Sequence, residues 1–205
     1  VTVTYNEVGD NVASLQSAKI TLTGYKYISG NNPVTATSSV DSNTMVVAGT
    51  KPTVTMNDSS DSVGADSLLG SVTIAADAAG AVNVLALPIN LSTTNATIDG
   101  GSLHVKKSTS GTDLGITAAA ITGSSSLTSA TGTVTFTIPQ KVSAGSSATF
   151  YIYADTEVVN SANDSKVRTK LGDKSFFSWV DVDGVATTTG ASLYNWPTNT
   201  SSIAD

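Results

Sequence analysis

At 205 residues and 20.7 kDa the chain has room for one domain with a sizeable core and a further segment. Only 13% of residues are charged, Ser and Thr fill 60 of the 205 positions and Glu occurs twice. Helices therefore lack their usual surface residues while strands are well supplied. A net charge of −6 with a pI near 4.5 argues against nucleic acid as a partner, and the absence of cysteine excludes disulfides and thiolate chemistry.

Alternation with a period of two begins at the first residue. VTVTY (1–5) sets Val1, Val3 and Tyr5 on one face and threonines on the other. The sequence as it stands opens on this strand pattern with no charged-then-apolar leader, so an exported protein is expected here in processed form. AKITLTGYKYI (18–28) starts with Ile20 and Leu22 inward and continues with Tyr25 and Tyr27 out of phase; a β-bulge at Gly24 is expected to repair the register. After the polar stretch NNPVTATSSVDSN (31–43) a steadier rhythm starts at Lys51-Pro52. Residues 1–50 are read as a separate strand arm or the end of a preceding domain, and 51–205 as an Ig-like antiparallel β-sandwich with a short C-terminal tail. PTVTM (52–56), GSVTIA (70–75), GTVTFTI (132–138) and SATFYIYA (147–154) keep the period. AVNVLALPINL (81–91), apolar on both faces, reads as a central strand with Pro88 at a bulge or bend. Residues 94–101, 108–111 and 124–132 read as loops, and SANDS (161–165) is the best short helical candidate. Strands spaced by about ten residues with turn residues between them suit a sandwich. No apolar run approaches the ~20 residues of a membrane span.

KVRTKL (166–171), Gly172-Asp173 and KSFFSWVDVDG (174–184) have the form of a two-residue hairpin with a type II′ turn. Closing it pairs Thr169 with Phe176, Arg168 with Phe177 and Lys166 with Trp179. One face then carries Val167, Leu171, Phe176, Val180 and Val182 toward a core. The other carries Lys166, Arg168, Lys170, Phe177, Trp179, Asp181 and Asp183. Two readings of Phe177 and Trp179 stand: a contact surface covered by the 1–50 arm or a neighbouring subunit, or a bulge that turns Trp179 into the core.

The same register sets Asp181 opposite Asp164, where like charges are unfavourable. Either pairing stops there or a calcium ion joins Asp164, Asp181 and Asp183. An EF-hand is excluded, because its first and twelfth ligands would be Trp179 and Gly190. Asp58, Asp61 and Asp66 form a second acidic loop, and Asp155, Glu157 and Asn163 a third; such loops are commonly Asx-turns. For catalysis the chain offers one histidine, His104, read as an exposed strand residue. No G-x-S-x-G elbow, zinc ligand set or phosphate loop accompanies it, and Glu7 and Glu157 have no suggestive context. No catalytic residue is assigned.

TKPTVTMNDSS (50–60), GSVTIAADAAGAVNVLALPINLS (70–92), IPQKVSAGSSATFYIYADT (138–156) and FFSWVDVDG (176–184) carry a resemblance over about three-quarters of the chain. It resembles the C-terminal part of Ig-like, S-layer-type or filament-forming bacterial surface proteins, similar to those of candidate-phyla (Patescibacteria-type) bacteria. The resemblance implies an exported, non-enzymatic surface protein. The expected function is a structural subunit of an extracellular assembly that polymerises head-to-tail with copies of itself by strand addition. Val1, Val3, Tyr5, Ile20, Leu22, Phe177 and Trp179 are the expected contacts. A carbohydrate-binding or adhesive module, built on Trp179, Trp196, Tyr194 and the acidic loops, is the alternative, with cell-envelope glycans as partner.

Overall fold

In the computed structural model the chain divides into two compact units, Val1–Gly49 and Thr50–Asp205. The structure describes residues 16–37, 39–42, 45–47, 50–181, 187–190, 193 and 195–205. Val1, Val3, Tyr5, Val182, Asp183 and Tyr194 lie outside them.

The first unit contains β1 (Gln16–Ala18), β2 (Thr21–Leu22), β3 (Tyr25–Ser29), β4 (Asn32–Ala36), β5 (Val40–Asp41) and β6 (Met45–Val47). β1 pairs with β6, β2 with β5 and β3 with β4, all antiparallel, so the segment is one two-stranded ribbon folded at Gly30-Asn31. Gly30 has φ +62°, which its missing Cβ permits. The register slips by one residue between Leu22↔Val40 and Tyr25↔Ala36. The irregularity falls beside Gly24, but the additional residue is on the returning strand, between Ala36 and Val40.

The second unit is an all-β sandwich. Its strands are β7 (Thr53–Asn57), β8 (Ser67–Ala75), β9 (Val82–Thr94), β10 (Ala96–Ile98), β11 (His104–Lys106), β12 (Ile116–Thr117), β13 (Ser129–Val142), β14 (Ser147–Ala154), β15 (Thr156–Val158), β16 (Lys166–Leu171), β17 (Ser178–Val180), β18 (Thr187–Thr189) and β19 (Thr200–Ala204), with one helical turn, α1 (Ala119–Thr122). One sheet has the order β11-β14-β8-β7; the other runs β12-β13-β9-β16-β19, with β17 also on β9 and β18 beyond it. Alternate residues of both sheets fill the space between them: Val54, Met56, Val72, Ile74, Phe150 and Ile152 from the smaller, and Val84, Leu87, Ile89, Leu91, Val134, Phe136, Val167 and Ile203 from the larger. Phe136 meets Phe150 across the gap with ring centroids 5.3 Å apart.

β9 is the central strand, but its irregularity is not at Pro88. Trp179 pairs with Val84 and Ser178 with Ala86, which leaves Leu85 as an additional residue. The buried set changes there from Val82 and Val84 to Leu87, Ile89 and Leu91.

The hairpin at 166–184 does not form. β16 runs along β9 from Lys166↔Thr94 to Leu171↔Ile89, and β17 continues in the same direction along the same strand, Ser178↔Ala86 to Val180↔Asn83. Gly172 lacks the positive φ that a type II′ turn demands. Asp173 instead accepts a hydrogen bond from Ser175 N at 2.8 Å and caps a 3-10 turn over Lys174–Phe176. Those three residues rotate the phase of the chain. Phe176 is 61% exposed, while Phe177 and Trp179 are fully buried. Phe177 sits 5.4 Å from Trp179 and 5.6 Å from Trp196, ring to ring.

Three smaller expectations also change. The C-terminus is not a tail: β19 pairs with β16 and buries Ser201 and Ile203. SANDS is a turn, and the loops read at 94–101 and 124–132 contain β10 and the first residues of β13. Because the phase rotation reverses the roles of neighbouring aromatics, Trp179→Ala is expected to cost ~3–5 kcal/mol of unfolding free energy in urea titrations. Phe176→Ala is expected to stay within about 0.5 kcal/mol of the parent.

Candidate functional site

The strongest surface feature is the ribbon. Among the described residues eight large apolar side chains are exposed, and five of them (Leu22, Tyr25, Tyr27, Ile28 and Val40) are on β2, β3 and β5. Directly opposed residues of an antiparallel pair share a face. Tyr25 and Tyr27, with rings 5.9 Å apart, therefore lie with Val34 and Ala36, and Leu22 lies with Val40. Ile28 is on the opposite face from the tyrosines and is 74% exposed. Ile20 is half-buried, and its backbone exchanges hydrogen bonds with Ser42 through Ser42 N to Ile20 O at 2.8 Å and Ile20 N to Ser42 Oγ at 3.0 Å. Asp41 locks the stem: its carboxylate accepts from Lys19 Nζ and from Thr21 Oγ1, each at 2.7 Å. Those two bonds, Lys19 first, hold the Asp41 carboxyl below the usual carboxylate range.

Phe177 and Trp179 do not belong to any such surface. Both are buried within the chain, so neither is free to meet a neighbouring subunit, and Trp179 is removed from a sugar-stacking platform. Trp196 is half-buried with its indole N–H donating to Gly172 O at 2.9 Å.

Two of the three expected calcium ligands, Asp164 and Asp181, are not brought together. Asp164 lies two residues before Lys166, which pairs with Thr94, whereas Asp181 follows Val180, which pairs with Asn83. Eleven residues of β9 separate these points, roughly 35 Å along an extended strand. Asp164 is exposed and Asp181 is buried. No group of three or more His, Cys, Asp or Glu among the described residues is arranged to hold a metal. In the acidic loops Asp61 and Asp155 spend their carboxylates on backbone N–H groups. Asp61 accepts from Ser62 N at 2.9 Å and Leu68 N at 2.7 Å, and Asp155 accepts from Asp66 N at 2.7 Å.

His104 is less exposed than its place in the strand pattern suggested, and it anchors the chemically richest cluster of the sandwich. Its ring stacks on Tyr153 at 5.3 Å and 7°. Nδ1 lies 2.8 Å from Ser102 O and Nε2 lies 3.0 Å from Asp66 Oδ1. Both ring nitrogens thus face oxygen atoms. Lys106 Nζ lies 3.9 Å from Asp66 and from Asp113 and 4.8 Å above the Tyr153 ring. Among the described residues the polar partners of His104 are the Ser102 carbonyl and the carboxylates of Asp66 and Asp113, so the cluster ties the 58–66 and 107–113 loops to the sheet. Burial first, then the negative charge of Asp66, with Tyr151 and Asp61 adding, pushes the Tyr153 phenol above its usual range. Sequence spacing had no means of finding this cluster, because Asp66, His104 and Tyr153 are joined only through β11-β14 pairing and a loop.

No protein-family model matches the chain, and no curated protein matches it. A solved chain described as "Complete structure of manganese lipoxygenase of Gaeumannomyces graminis and partial structure of zonadhesin of Komagataella pastoris" is similar at 11% identity and a TM-score of 0.26. That match covers 94% of this chain and 58% of the other. A likeness at that level carries no argument. No helix among the described residues is long and apolar enough to cross a membrane.

Two measurements test these contacts. Because the folded-state pKa of Asp41 is lowered, its contribution is present above the unfolded aspartate range of about 4 and is lost as pH falls through the folded value. Protection of the Ser42 amide from exchange, corrected for intrinsic rates, is expected to be greater at about pH 5 than at about pH 2. In Asp41→Asn that difference should vanish. Ultraviolet titration should show the Tyr153 phenol ionising above the ordinary phenol range. Asp66→Asn is expected to bring it only part of the way back, since burial is the larger cause.

Proposed function

We propose that the chain is a structural subunit of an extracellular cell-surface assembly, a filament or an S-layer-type sheet, and that the ribbon docks onto the next copy by strand addition. The concentration of exposed apolar side chains on the ribbon carries this reading. A two-stranded ribbon is marginal by itself and presents backbone edges that pair readily with another chain. Seating Leu22, Tyr25, Tyr27, Ile28 and Val40 against a second copy removes apolar surface from water at about 25 cal/mol per Å². A head-to-tail contact of this kind builds a polymer wherever the rotation does not close a ring. The weakly charged, Ser- and Thr-rich composition and the resemblance to Ig-like bacterial surface proteins support an exterior location.

Sedimentation velocity and negative-stain microscopy of the full chain test the proposal. The parent is expected to form ordered polymers at high concentration. The combined substitution Tyr25→Ser, Tyr27→Ser and Ile28→Ser is expected to leave monomers whose sandwich unfolds at the parent's temperature. A parent that stays monomeric, or a variant that polymerises as well as the parent, refutes it.

A further inference from the structure

The outer face of the larger sheet carries a row of cations along β16. Lys166, Arg168 and Lys170 alternate with the buried Val167, Thr169 and Leu171, so all three point away from the core. They stand roughly 6.5 Å apart along the strand. Ladder pairing sets Asn90 and Thr200 on either side of Lys170, and Ser92 and Ser202 on either side of Arg168; Thr131 lies beyond Asn90 on β13. Asn90, Ser92, Thr131, Arg168, Lys170 and Thr200 line a shallow depression of about 340 Å³.

Two features set this face apart from the rest of the charged surface. The chain has sixteen acidic and ten basic residues, so carboxylates are in surplus. Lys19 pairs with Asp41, and His104 and Lys106 with Asp66 and Asp113. Yet among the described residues no carboxylate lies within ion-pair distance of Lys166, Arg168 or Lys170; Arg168 reaches only Thr94 Oγ1, at 3.3 Å. The flanks, moreover, consist of hydroxyls and one carboxamide. The side-chain oxygen of Asn90 is shielded from water and has no hydrogen-bond partner among the described residues. Rotation of that amide into the depression exchanges an unpaired acceptor for a ligand hydroxyl, which costs less than leaving it buried and unmade.

We infer that this face is a docking site for an anionic polysaccharide whose sugars bear carboxylates. Uronate carboxylates match the Arg168 fork and the Lys170 and Lys166 ammonium groups, and sugar hydroxyls match Ser92, Thr131, Thr200 and Asn90. A polyphosphate supplies the charge but no hydroxyl donors for Asn90. An open depression spanning four strands suits a polymer lying across the sheet rather than an enclosed small molecule. The site is on the sandwich and does not rest on the ribbon's role in assembly.

Native electrophoresis of the full chain through gels cast with polygalacturonate, with neutral dextran or with double-stranded DNA tests the inference. The parent is expected to be retarded by polygalacturonate alone, with retardation that weakens as salt is raised. Arg168→Gln with Lys170→Gln is expected to weaken the apparent affinity at least tenfold with an unchanged circular-dichroism melt, while Lys141→Gln, which removes a charge elsewhere, leaves it intact. Absence of retardation, equal retardation of the double variant, or equal retardation by DNA overturns the inference. So does self-association of the parent that the double variant abolishes without any polygalacturonate effect, because the occupant is then a second copy.

Discussion

Everything in the sandwich is arranged around satisfying one strand. β9 is 13 residues long and apolar for most of its length, so both of its edges need partners and both of its faces need cover. β13 takes one edge. No single strand follows the other edge to its end, and β16 and β17 divide it between them. The additional residue at Leu85 lets the strand keep an apolar inner row on both sides of the break. β13 answers the same irregularity by looping out between Thr135 and Gln140, which leaves Ile138 71% exposed. Gly70, with φ +155°, plays a related part in the smaller sheet. A Cβ there would stand 2.8 Å from Met56 Cε and 2.9 Å from Ser201 Cβ, so the close approach of β8 to the opposite sheet depends on its absence.

Scarcity of charge has its own logic. Of sixteen acidic residues only two are Glu, and the aspartates are short enough to reach the backbone of their own loops. Asp77 accepts from Ala79 N, Asp99 from Gly101 N and Asp173 from Ser175 N, each two residues on and each at 2.8 Å. Carboxylates used in this way rigidify turns and are poorly placed to gather around a cation, which accounts for acidic loops without a metal cluster among the described residues. Asp61, Asp77, Asp99, Asp155 and Asp173 are held at loop backbone in this way, and none of them reaches the row of cations on β16.

Periodicity made the sandwich legible where strands run without interruption. β7, β8 and β14, and β9 as the central strand, follow directly from alternating or continuous apolar runs. The ribbon's register slip was legible from the phase change at Gly24. The misreading at 166–184 has a definite cause. Gly-Asp is a turn signal, but Asp followed by two residues with free N–H groups is equally a 3-10 cap, and the two outcomes place Phe176 and Phe177 on opposite sides. Parity counting works only until a non-extended residue intervenes. The last strand was missed for a different reason: TSSIA contains one large apolar residue, Ile203, and its burial depends on β16, more than thirty residues earlier in the chain. Alternation alone put Lys166, Arg168 and Lys170 on one face, whereas the hydroxyl flanks of that row and the partners of His104 required the ladder register, which no local spacing encodes.

The edges of the sandwich differ from those of the ribbon. β7 and β19 each span five residues, and polar bonds bridge between them: Asn199 Nδ2 donates to Met56 O at 2.9 Å, and Ser59 N donates to Ser201 Oγ at 2.9 Å. On the far side of the larger sheet α1 covers part of β13, with Ile121 packed where a side chain at Gly132 would stand. Lys107 Nζ caps Lys141 O at 2.8 Å near the other end of that strand. Short, bridged or covered edges are the means by which β-proteins resist unwanted pairing. The ribbon's strands are equally short, but among the described residues each has one partner, and Leu22, Tyr25, Tyr27, Ile28 and Val40 are exposed. Bridged and covered sandwich edges beside a ribbon that exposes Leu22, Tyr25, Tyr27, Ile28 and Val40 are the asymmetry on which the proposal of the ribbon as connector rests.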